Sequence, residues 1–244
     1  MVVDYMLHHN LAYGAAYSPL PSIYTTNLDQ WFAPEAATSL SEYVVDQSGN
    51  SRDGSIGNPD SFLSYESTGV GLNYTAQPLS PENVIDTDYL PNYKSAFSMQ
   101  IWANITSTNS VPAFVNNRTD GTTTNRVAWT INGTAHSLII YSGTSATFNL
   151  THTQTASTWN MLTFTTNGEN SHKLYVDTSE QTSSTSTLSG TTEGDTLRIG
   201  GQFKGNTARW ITDASVGSWK VYREELSLAN ITTNYNAEKA TYGL

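Results

Sequence analysis

Short segments with alternating apolar and polar residues recur along most of this sequence, and clusters of Gly, Asn, Asp and Ser separate them. Residues 96–103 are the clearest example, because Phe97, Met99 and Ile101 fall on one face of an extended chain. We interpret this segment as a half-buried strand. A chain with many such segments at short spacing is predicted to form an antiparallel β-sandwich.

Two pairs of segments have the form of β-hairpins. Residues 126–131 end at Asn132-Gly133, a dipeptide that supplies the positive φ angles of a tight turn, and residues 137–141 follow. Residues 159–165 and 172–176 are predicted to pair in the same way. These hairpins strengthen the prediction of antiparallel sheets.

Further strands are expected at residues 196–199 and 216–222. Residues 227–236 alone have a helical pattern, with Ser227 as the candidate N-cap. The predicted fold is therefore all-β, with one short helix near the C-terminus.

Composition excludes several classes of protein. Charged residues make up 13% of the chain, against about 25% in an ordinary soluble domain, so Thr, Ser, Asn and Gly must cover much of the surface. An excess of 21 acidic over 11 basic residues disfavours nucleic acid as a partner. The absence of cysteine excludes disulfides and thiol nucleophiles. The sequence also has neither a membrane-spanning apolar run nor the pattern of a signal peptide at its start.

The first forty residues follow neither a helical nor an alternating pattern, although they are rich in aromatic residues. We therefore divide the chain into an extended N-terminal arm, residues 1–40, and a sandwich domain, residues 41–244. Such an arm crosses either its own sandwich or a neighbouring subunit. In the second case, deletion of residues 1–32 would leave a folded, monomeric domain. The candidate anchoring residues are Tyr13, Tyr17, Tyr24, Trp31 and Phe32.

A resemblance to a known family rests on a series of motifs in a fixed order. They include residues 46–50 (DQSGN), 97–102 (FSMQIW), 159–164 (WNMLTF), 197–201 (LRIGG) and 216–222 (VGSWKVY). In this order they resemble the laminin-G-like and pentraxin-like domains of the concanavalin A-like superfamily, over most of the chain after the arm. The resemblance implies a jelly-roll sandwich of two curved antiparallel sheets, used for glycan or protein binding and usually without catalysis.

Glycoside hydrolysis is the first enzymatic activity to consider, because some members of that superfamily are glucanases. A retaining mechanism needs two carboxyl groups about 5 Å apart, as in a Glu-x-Asp-x-Glu strand. The partial match begins at Glu193 and Asp195, but Leu197 occupies the third acidic position. We therefore predict that the protein is not an enzyme.

Residues 46–50 begin like a calcium-binding EF-hand loop, but Gly57 stands where the bidentate glutamate would be. We interpret the segment as a turn instead. In that turn Asp46 and Ser48 accept hydrogen bonds from nearby backbone amides, and Gly49 has a positive φ.

No cofactor is the main expectation for this chain, with calcium as an alternative. Asp86 and Asp88 are the candidate ligands of a loop calcium site, and Asn117 and Asp120 are the alternative pair. The resemblance to pentraxins does not strengthen calcium binding, because residues 202–204 (QFK) replace the acidic residues that follow the Leu-x-Ile-Gly strand there.

Sugar binding without a metal requires an exposed aromatic ring with amides and charged groups around it. Trp210 is the candidate, with Arg209 and Asn206 beside it, because it falls in a polar loop rather than in an obvious strand. The alternative is a loop tryptophan that packs over the edge of the sandwich. The other tryptophans of the domain lie within predicted strands, so we expect them in the core: Trp102, Trp129, Trp159 and Trp219.

Asn-x-Thr sequons are frequent in this sequence, partly because it is rich in Asn and Thr. The N-glycosylation candidates are Asn73, Asn104, Asn117, Asn132, Asn149 and Asn230.

These features favour a non-enzymatic structural or interaction protein, such as a coat or decoration subunit of a virion or another surface layer. Its partners would be copies of itself or other coat proteins, bound through the arm, and its location a virion or extracellular surface. A glycan-binding attachment module is the alternative from the same fold. A glycoside hydrolase is a weaker one.

Overall fold

In a computed structural model of the chain, the structure describes residues 20–34, 37, 39–56, 63–66, 71–74, 84–92, 94–105, 110–116, 126–132, 135–142, 145–153, 155, 157–187, 196–204, 207–210 and 214–244. The strands in these ranges are β1 (Leu28–Phe32), β2 (Ser55–Ile56), β3 (Leu63–Glu66), β4 (Gly71–Tyr74), β5 (Ile85–Asp86), β6 (Phe97–Ile105), β7 (Ser110–Asn116), β8 (Arg126–Asn132), β9 (Ala135–Ser142), β10 (Ser145–Thr153), β11 (Trp159–Thr166), β12 (His172–Val176), β13 (Ser179–Ser184), β14 (Arg198–Ile199), β15 (Gly201–Lys204), β16 (Thr207–Trp210) and β17 (Ala214–Tyr222). The helices are α1 (Leu40–Tyr43) and α2 (Leu228–Glu238), and a 3-10 helix, Lys239–Tyr242, follows α2.

Most of these strands form two antiparallel sheets. Sheet A has the order β13-β12-β11-β6-β17-β4-β3, with β1 paired to β17, and sheet B has the order β10-β9-β8-β7-β14-β5-β2. The hairpin of β15 and β16 forms a separate pair and packs against β7. The predicted all-β fold of two antiparallel sheets with one short C-terminal helix is confirmed.

Both predicted hairpins are present. β8 pairs with β9, and β11 pairs with β12. α2 begins as expected, because the Ser227 side chain accepts a hydrogen bond from the backbone N–H of Asn230 at 3.3 Å. β10 pairs with β9 at one edge of sheet B and is not among the predicted strands.

The space between the two sheets is filled by apolar side chains, which we call the inner core. Because alternate residues of a strand point to opposite faces, each strand contributes every second residue to it. Its members include Phe97, Met99, Ile101, Leu162, Phe164, Leu174 and Trp219 from sheet A, and Ile85, Val127, Trp129, Leu138, Leu150 and Ile199 from sheet B.

The other face of sheet A is covered as well. α2, the 3-10 helix and the N-terminal segment lie on it and form what we call the outer layer, whose buried members are Ile23, Leu28, Trp31, Ala33, Trp102, Met161, Tyr175, Tyr222, Leu226, Ile231 and Tyr242. Ser98, Gln100 and Trp102 of β6 are therefore fully buried, like their neighbours on the inner face. The prediction that this strand is half-buried is wrong, because the alternation alone does not reveal a third layer.

The described part of the predicted arm packs on its own domain. β1 is hydrogen-bonded to β17, Phe32 lies in the inner core and Trp31 lies in the outer layer. Tyr24 contacts Tyr222, whose hydroxyl donates to the Tyr24 carbonyl at 2.9 Å. β1 therefore belongs to the sandwich although it precedes the boundary predicted at residue 40, and buried Trp31 and Phe32 are not anchors for a neighbour. Tyr13 and Tyr17 lie outside the described residues.

The loop at residues 46–50 has the predicted turn structure and fastens β1. The Asp46 Oδ1 accepts hydrogen bonds from the backbone N–H groups of Trp31 and Ser48, both at 2.9 Å. Its Oδ2 accepts from the backbone N–H of Arg52 at 3.0 Å, and Gly49 has φ of +87°. The side chain of Asp46 thus serves the backbone rather than a metal ion.

Candidate functional site

Aromatic rings cluster where the end of α2 meets the start of β11. Trp102 is fully buried and stacks on Tyr242 with ring centroids 4.2 Å apart, and on Tyr235 at 5.7 Å. Trp159 lies against Tyr242 with centroids 4.7 Å apart. In contrast to Trp102, Trp159 and Tyr235 are only half-buried, so part of each ring reaches solvent. The cluster therefore presents two aromatic side chains on a rigid base.

Charged and amide side chains lie near this aromatic cluster. Asp177 is half-buried in the turn between β12 and β13, where it accepts hydrogen bonds from the Met161 backbone N–H at 2.9 Å and from the Asn160 Nδ2 at 3.2 Å. Burial, followed by the Asp177 carboxylate, raises the pKa of Tyr235. The Lys239 Nζ lies 5.6 Å from the centroid of the Tyr235 ring. A carboxylate and an ammonium group thus lie near the partly exposed Tyr235, and the carboxylate also accepts from the Asn160 amide.

A cleft of about 420 Å³ lies at the opposite end of α2, between the start of the helix and the outer strands of sheet A. On its floor the Tyr175 hydroxyl donates to the Glu180 Oε2 at 3.4 Å, and the Lys173 Nζ lies 3.5 Å from the same oxygen. Burial raises the pKa of Tyr175, and Tyr175 is in turn the main cause of a raised pKa of Lys173. The cleft is lined by Lys173, Tyr175, Glu180, Glu225, Leu226, Ser227 and Leu228.

Buried hydrogen bonds hold α2 in place between these two ends. The carboxylate of Glu238 accepts from the Lys220 Nζ at 2.6 Å and from the Trp102 Nε1 at 2.8 Å. Nearer the middle of the helix, the Asn234 Nδ2 donates to the Gln100 Oε1 at 2.6 Å. Because these side chains are fully buried and mutually bonded, the surface beside α2 is fixed in advance of any ligand.

The structure places the predicted sugar-binding residues on a strand rather than in a loop. Thr207–Trp210 form β16, and Trp210 is paired with Gly201 of β15. The loop assignment of Arg209 and Trp210 is therefore wrong, because the segment completes a hairpin. Their side chains, and Asn206 altogether, lie outside the described parts, so sugar binding by this hairpin stays a prediction.

The candidate calcium ligands have other partners. Asp86 Oδ2 lies 3.3 Å from the Arg198 Nη2, and its Oδ1 accepts from the Thr196 hydroxyl and from the Asp88 backbone N–H. Within the described residues there is no group of three or more His, Asp or Glu side chains that could hold a metal ion. An arginine thus neutralises Asp86 where a cation would be needed, and calcium binding stays a prediction.

The predicted sequons fall in several environments. Asn149 is exposed on β10, whereas Asn104 and Asn230 are half-buried on β6 and α2. The backbones of Asn73 and Asn132 are in strands, and their side chains lie outside the description. Four other candidate residues lie entirely outside the described residues: Asn117, Asp120, Glu193 and Asp195.

Three of the four tryptophans predicted to lie in the core are buried there, and one is not. Trp102, Trp129 and Trp219 are fully buried, as expected for core residues. Trp159 was expected in the core as well, but it is half-buried at the start of β11. The sequence offers no signal for this exception, because Met161, two residues later on the same face, is fully buried.

The packing of two antiparallel sheets places the protein in the class of β-sandwich proteins. Residues 78–232 match the laminin G model that is described as the concanavalin A-like lectin/glucanases superfamily. The match extends over well more than half of the chain, so the protein belongs to this superfamily. The resemblance predicted from the sequence motifs is confirmed. No curated protein sequence matches the chain significantly.

Several solved structures have a similar fold at low sequence identity. A mutant of Trypanosoma rangeli sialidase with trans-sialidase activity has a TM-score of 0.64 and 13% identity, covering 91% of this chain and 34% of that chain. The binding domain of botulinum neurotoxin DC in complex with rat synaptotagmin II has a TM-score of 0.63 and 10% identity, covering 87% of this chain and 52% of that one. A structure of botulinum neurotoxin type C, whose cell entry depends upon interaction with two ganglioside molecules, has a TM-score of 0.64 and 12% identity. The match covers 87% of this chain and 51% of that chain.

This chain therefore spans about a third of the sialidase and about half of the toxin structures. At these identities the similarity shows the fold alone. Among the described residues, no helix is long and apolar enough to cross a membrane.

Proposed function

We propose that this protein is a glycan-binding module that binds oligosaccharide without cleaving it. The observation that carries the proposal is the pair of partly exposed residues Trp159 and Tyr235, which pack on one aromatic cluster, with the Asp177 carboxylate close enough to raise the pKa of Tyr235. Sugar rings stack on aromatic side chains, while carboxylate and amide groups orient their hydroxyls. Fixed aromatic side chains lose little conformational entropy on binding, which favours this arrangement for recognition.

The superfamily and the structural neighbours support a binding role. The superfamily includes lectins as well as glucanases. The similar toxin structures include a binding domain in complex with rat synaptotagmin II and a toxin whose cell entry depends upon interaction with two ganglioside molecules. The similarity to a sialidase keeps hydrolysis as the competing function.

The test is a glycan array followed by isothermal titration calorimetry on the best hit. We expect Trp159→Ala to weaken binding by at least about tenfold, the equivalent of one lost stacking contact. Ser55→Ala, an exposed residue on β2 at the edge of sheet B opposite to β10, is the matched control and should bind like wild type. An array without hits would refute the proposal. If Trp210→Ala abolishes binding and Trp159→Ala does not, the site lies on the β15 and β16 hairpin.

Binding without catalysis requires a separate assay. The protein is incubated with the bound oligosaccharide, and the products are separated by chromatography. We expect the oligosaccharide to be recovered intact. Release of shorter products would make the protein a glycoside hydrolase.

A coat or decoration subunit on a virion or extracellular surface stays a prediction from the sequence. An arm that reaches a neighbour would have to consist of residues 1–19, because Trp31 and Phe32 are buried in their own chain. Light scattering on a variant that lacks residues 1–19 tests this role. Unchanged assembly would exclude it.

A further inference from the structure

The two ends of α2 belong to one surface. Ile231, Asn234 and Glu238 face sheet A and are fully buried. A second set of helix residues, offset from the first by about a quarter turn, points sideways towards β11, β12 and β13. Its members are Leu228, Thr232, Tyr235 and Lys239, all at least partly exposed.

The neighbours of this second set define a strip of surface along α2, which begins at the cleft and which we call the groove. Leu228 lines the cleft with Lys173 and Glu180 at the start of the helix. Tyr235 stands near Asp177 at the other end, and Trp159 packs into the same apolar cluster as Tyr235. From Leu228 to Lys239 the helix rises about 16 Å, so the groove is long enough for a chain of several sugar residues.

The charges along the groove oppose an acidic ligand. Glu180 is the partner of Lys173 already, and Glu225 accepts from the Ser171 hydroxyl at 2.7 Å rather than from a cation. Asp177 is held by amide groups. The groove therefore carries more carboxylates than ammonium groups, within a chain of net charge -10. A carboxylate on the ligand would be repelled.

Arginine side chains, which bind carboxylates best, are engaged elsewhere in the described structure. Arg52 and Arg223 both pair with buried Asp29, and Arg198 pairs with Asp86 on sheet B. None of these guanidinium groups lines the groove.

We infer that the groove beside α2 binds a neutral, linear oligosaccharide that lies along the helix, rather than a terminal acidic sugar. This inference rests on the proposed function. Trp159 and Tyr235 supply the stacking surface at one end, and Lys173, Glu180 and Leu228 contact the later residues of the chain at the other.

The experiment measures affinity against ligand length and charge by calorimetry. Short and long members of the cello-, malto- and xylo-oligosaccharide series are compared with sialyllactose and oligogalacturonate. We expect the hexasaccharide of one neutral series to bind about tenfold more tightly than its disaccharide, and the acidic ligands to bind more weakly. The double variant Lys173→Ala/Leu228→Ala, which changes two exposed side chains, should lower the affinity for the hexasaccharide to that of the disaccharide.

The outcomes separate this inference from the proposed function. Affinity that is independent of length, or an acidic ligand that binds as tightly as the neutral ones, overturns the inference while glycan binding stands. A double variant that keeps the full preference for the hexasaccharide overturns it as well. If no saccharide of either class binds, the proposed function fails, and the inference fails with it.

Discussion

The inner core and the outer layer cover opposite faces of sheet A and are built differently. The inner core is almost entirely apolar, with Trp219, Phe97 and Phe164 among its fully buried members. The outer layer buries Lys220 and Glu238 together with aromatic residues and links them by hydrogen bonds. Both layers exclude water, and in the inner core the Trp219 Nε1 donates to the Gln30 Oε1 at 2.9 Å. Among the described residues, however, the ion pair in which both side chains are fully buried belongs to the outer layer.

The two layers therefore contribute to the structure in different ways. Apolar burial stabilises the sandwich without strict demands on direction. A buried polar network is stable only in one arrangement, so it fixes the position of α2 on the sheet. The groove that we propose as a binding surface lies beside this fixed helix.

The strand β1 contributes to both layers, so its removal should have the largest effect. Deletion of residues 1–32 removes Phe32 from the inner core and Trp31 from the outer layer. Each side chain is worth about 3–5 kcal/mol, against a total stability of about 5–15 kcal/mol for a typical domain. We expect this variant to lack a cooperative thermal transition.

Deletion of residues 1–19 is the matched control for that truncation, because it leaves all the described contacts of β1 in place. Its melting curve should resemble that of the full chain. A cooperative transition near the wild-type temperature after deletion of residues 1–32 would show that β1 is dispensable.

The buried ion pair of the outer layer should give the next largest effect. Lys220→Met leaves the Glu238 carboxylate buried without its cation, which should lower the free energy of unfolding by about 3–5 kcal/mol. Lys220→Met/Glu238→Gln removes both charges and keeps an acceptor for Trp102. We expect urea unfolding to show the double variant to be more stable than Lys220→Met alone.

The single variants show whether Lys220 and Glu238 stabilise the protein as a pair. If the losses in the single variants Lys220→Met and Glu238→Gln add up to that of the double variant, the two residues do not act as a pair. The position of α2 would then depend on its apolar contacts and on its other hydrogen bonds, such as that between Asn234 and Gln100.

The strands and turns around the inner core were the part of the fold that the sequence predicted best. Alternation at Phe97, Met99 and Ile101 and the Asn-Gly turn after β8 depend on local geometry, which a single segment displays. The motif at residues 46–50 was also predictable, because Asp and Ser bind backbone amides close to them in sequence.

The outer layer was much less predictable. Its contacts join residues that are far apart in the chain, such as Trp31 with Ser218 and Trp102 with Glu238. A polar residue such as Gln100 on a strand indicates a solvent-exposed face, unless a further layer is known to cover it. The partial exposure of Trp159 depends on the same covering layer, so the candidate site could not be derived from the strand pattern.

His172, a buried polar residue on sheet A, tests how protonation of a buried side chain changes the stability of the sandwich. His172 on β12 is fully buried; its Nδ1 lies 2.8 Å from the Thr166 hydroxyl, and its Nε2 lies 2.8 Å from the carbonyl of Ser186. A carbonyl only accepts, so Nε2 carries the proton, and Nδ1 accepts from Thr166. Burial lowers the pKa of His172 below its usual 6.5.

The sign of the resulting pH dependence follows from this lowered pKa. Above pH 6.5 the imidazole is neutral in both the folded and the unfolded chain, so its hydrogen bonds contribute fully. Below that pH the unfolded chain takes up a proton that the folded protein disfavours, and stability falls. His172→Gln should cost about 1–3 kcal/mol at pH 8, and this difference from wild type should shrink as the pH falls below 6.5. Urea unfolding across this pH range provides the measurement, and a difference that widens at acid pH would contradict the lowered pKa.

The smallest expected effect concerns one hydrogen bond of the outer layer. The Trp31 Nε1 donates to the Ser218 Oγ at 3.2 Å, and the same oxygen accepts from the Lys220 Nζ at 2.9 Å. Trp31→Phe removes the first bond but leaves Ser218 paired with Lys220, so no buried group loses its last partner. We expect a loss of about 1–2 kcal/mol in the free energy of unfolding. Ser218→Ala deprives both donors of this acceptor and should be the more damaging variant, because a buried indole N–H is then left unpaired. If Trp31→Phe proves the worse of the two, the ring of Trp31 matters to the outer layer through its volume, as in the inner core, and not through its hydrogen bond.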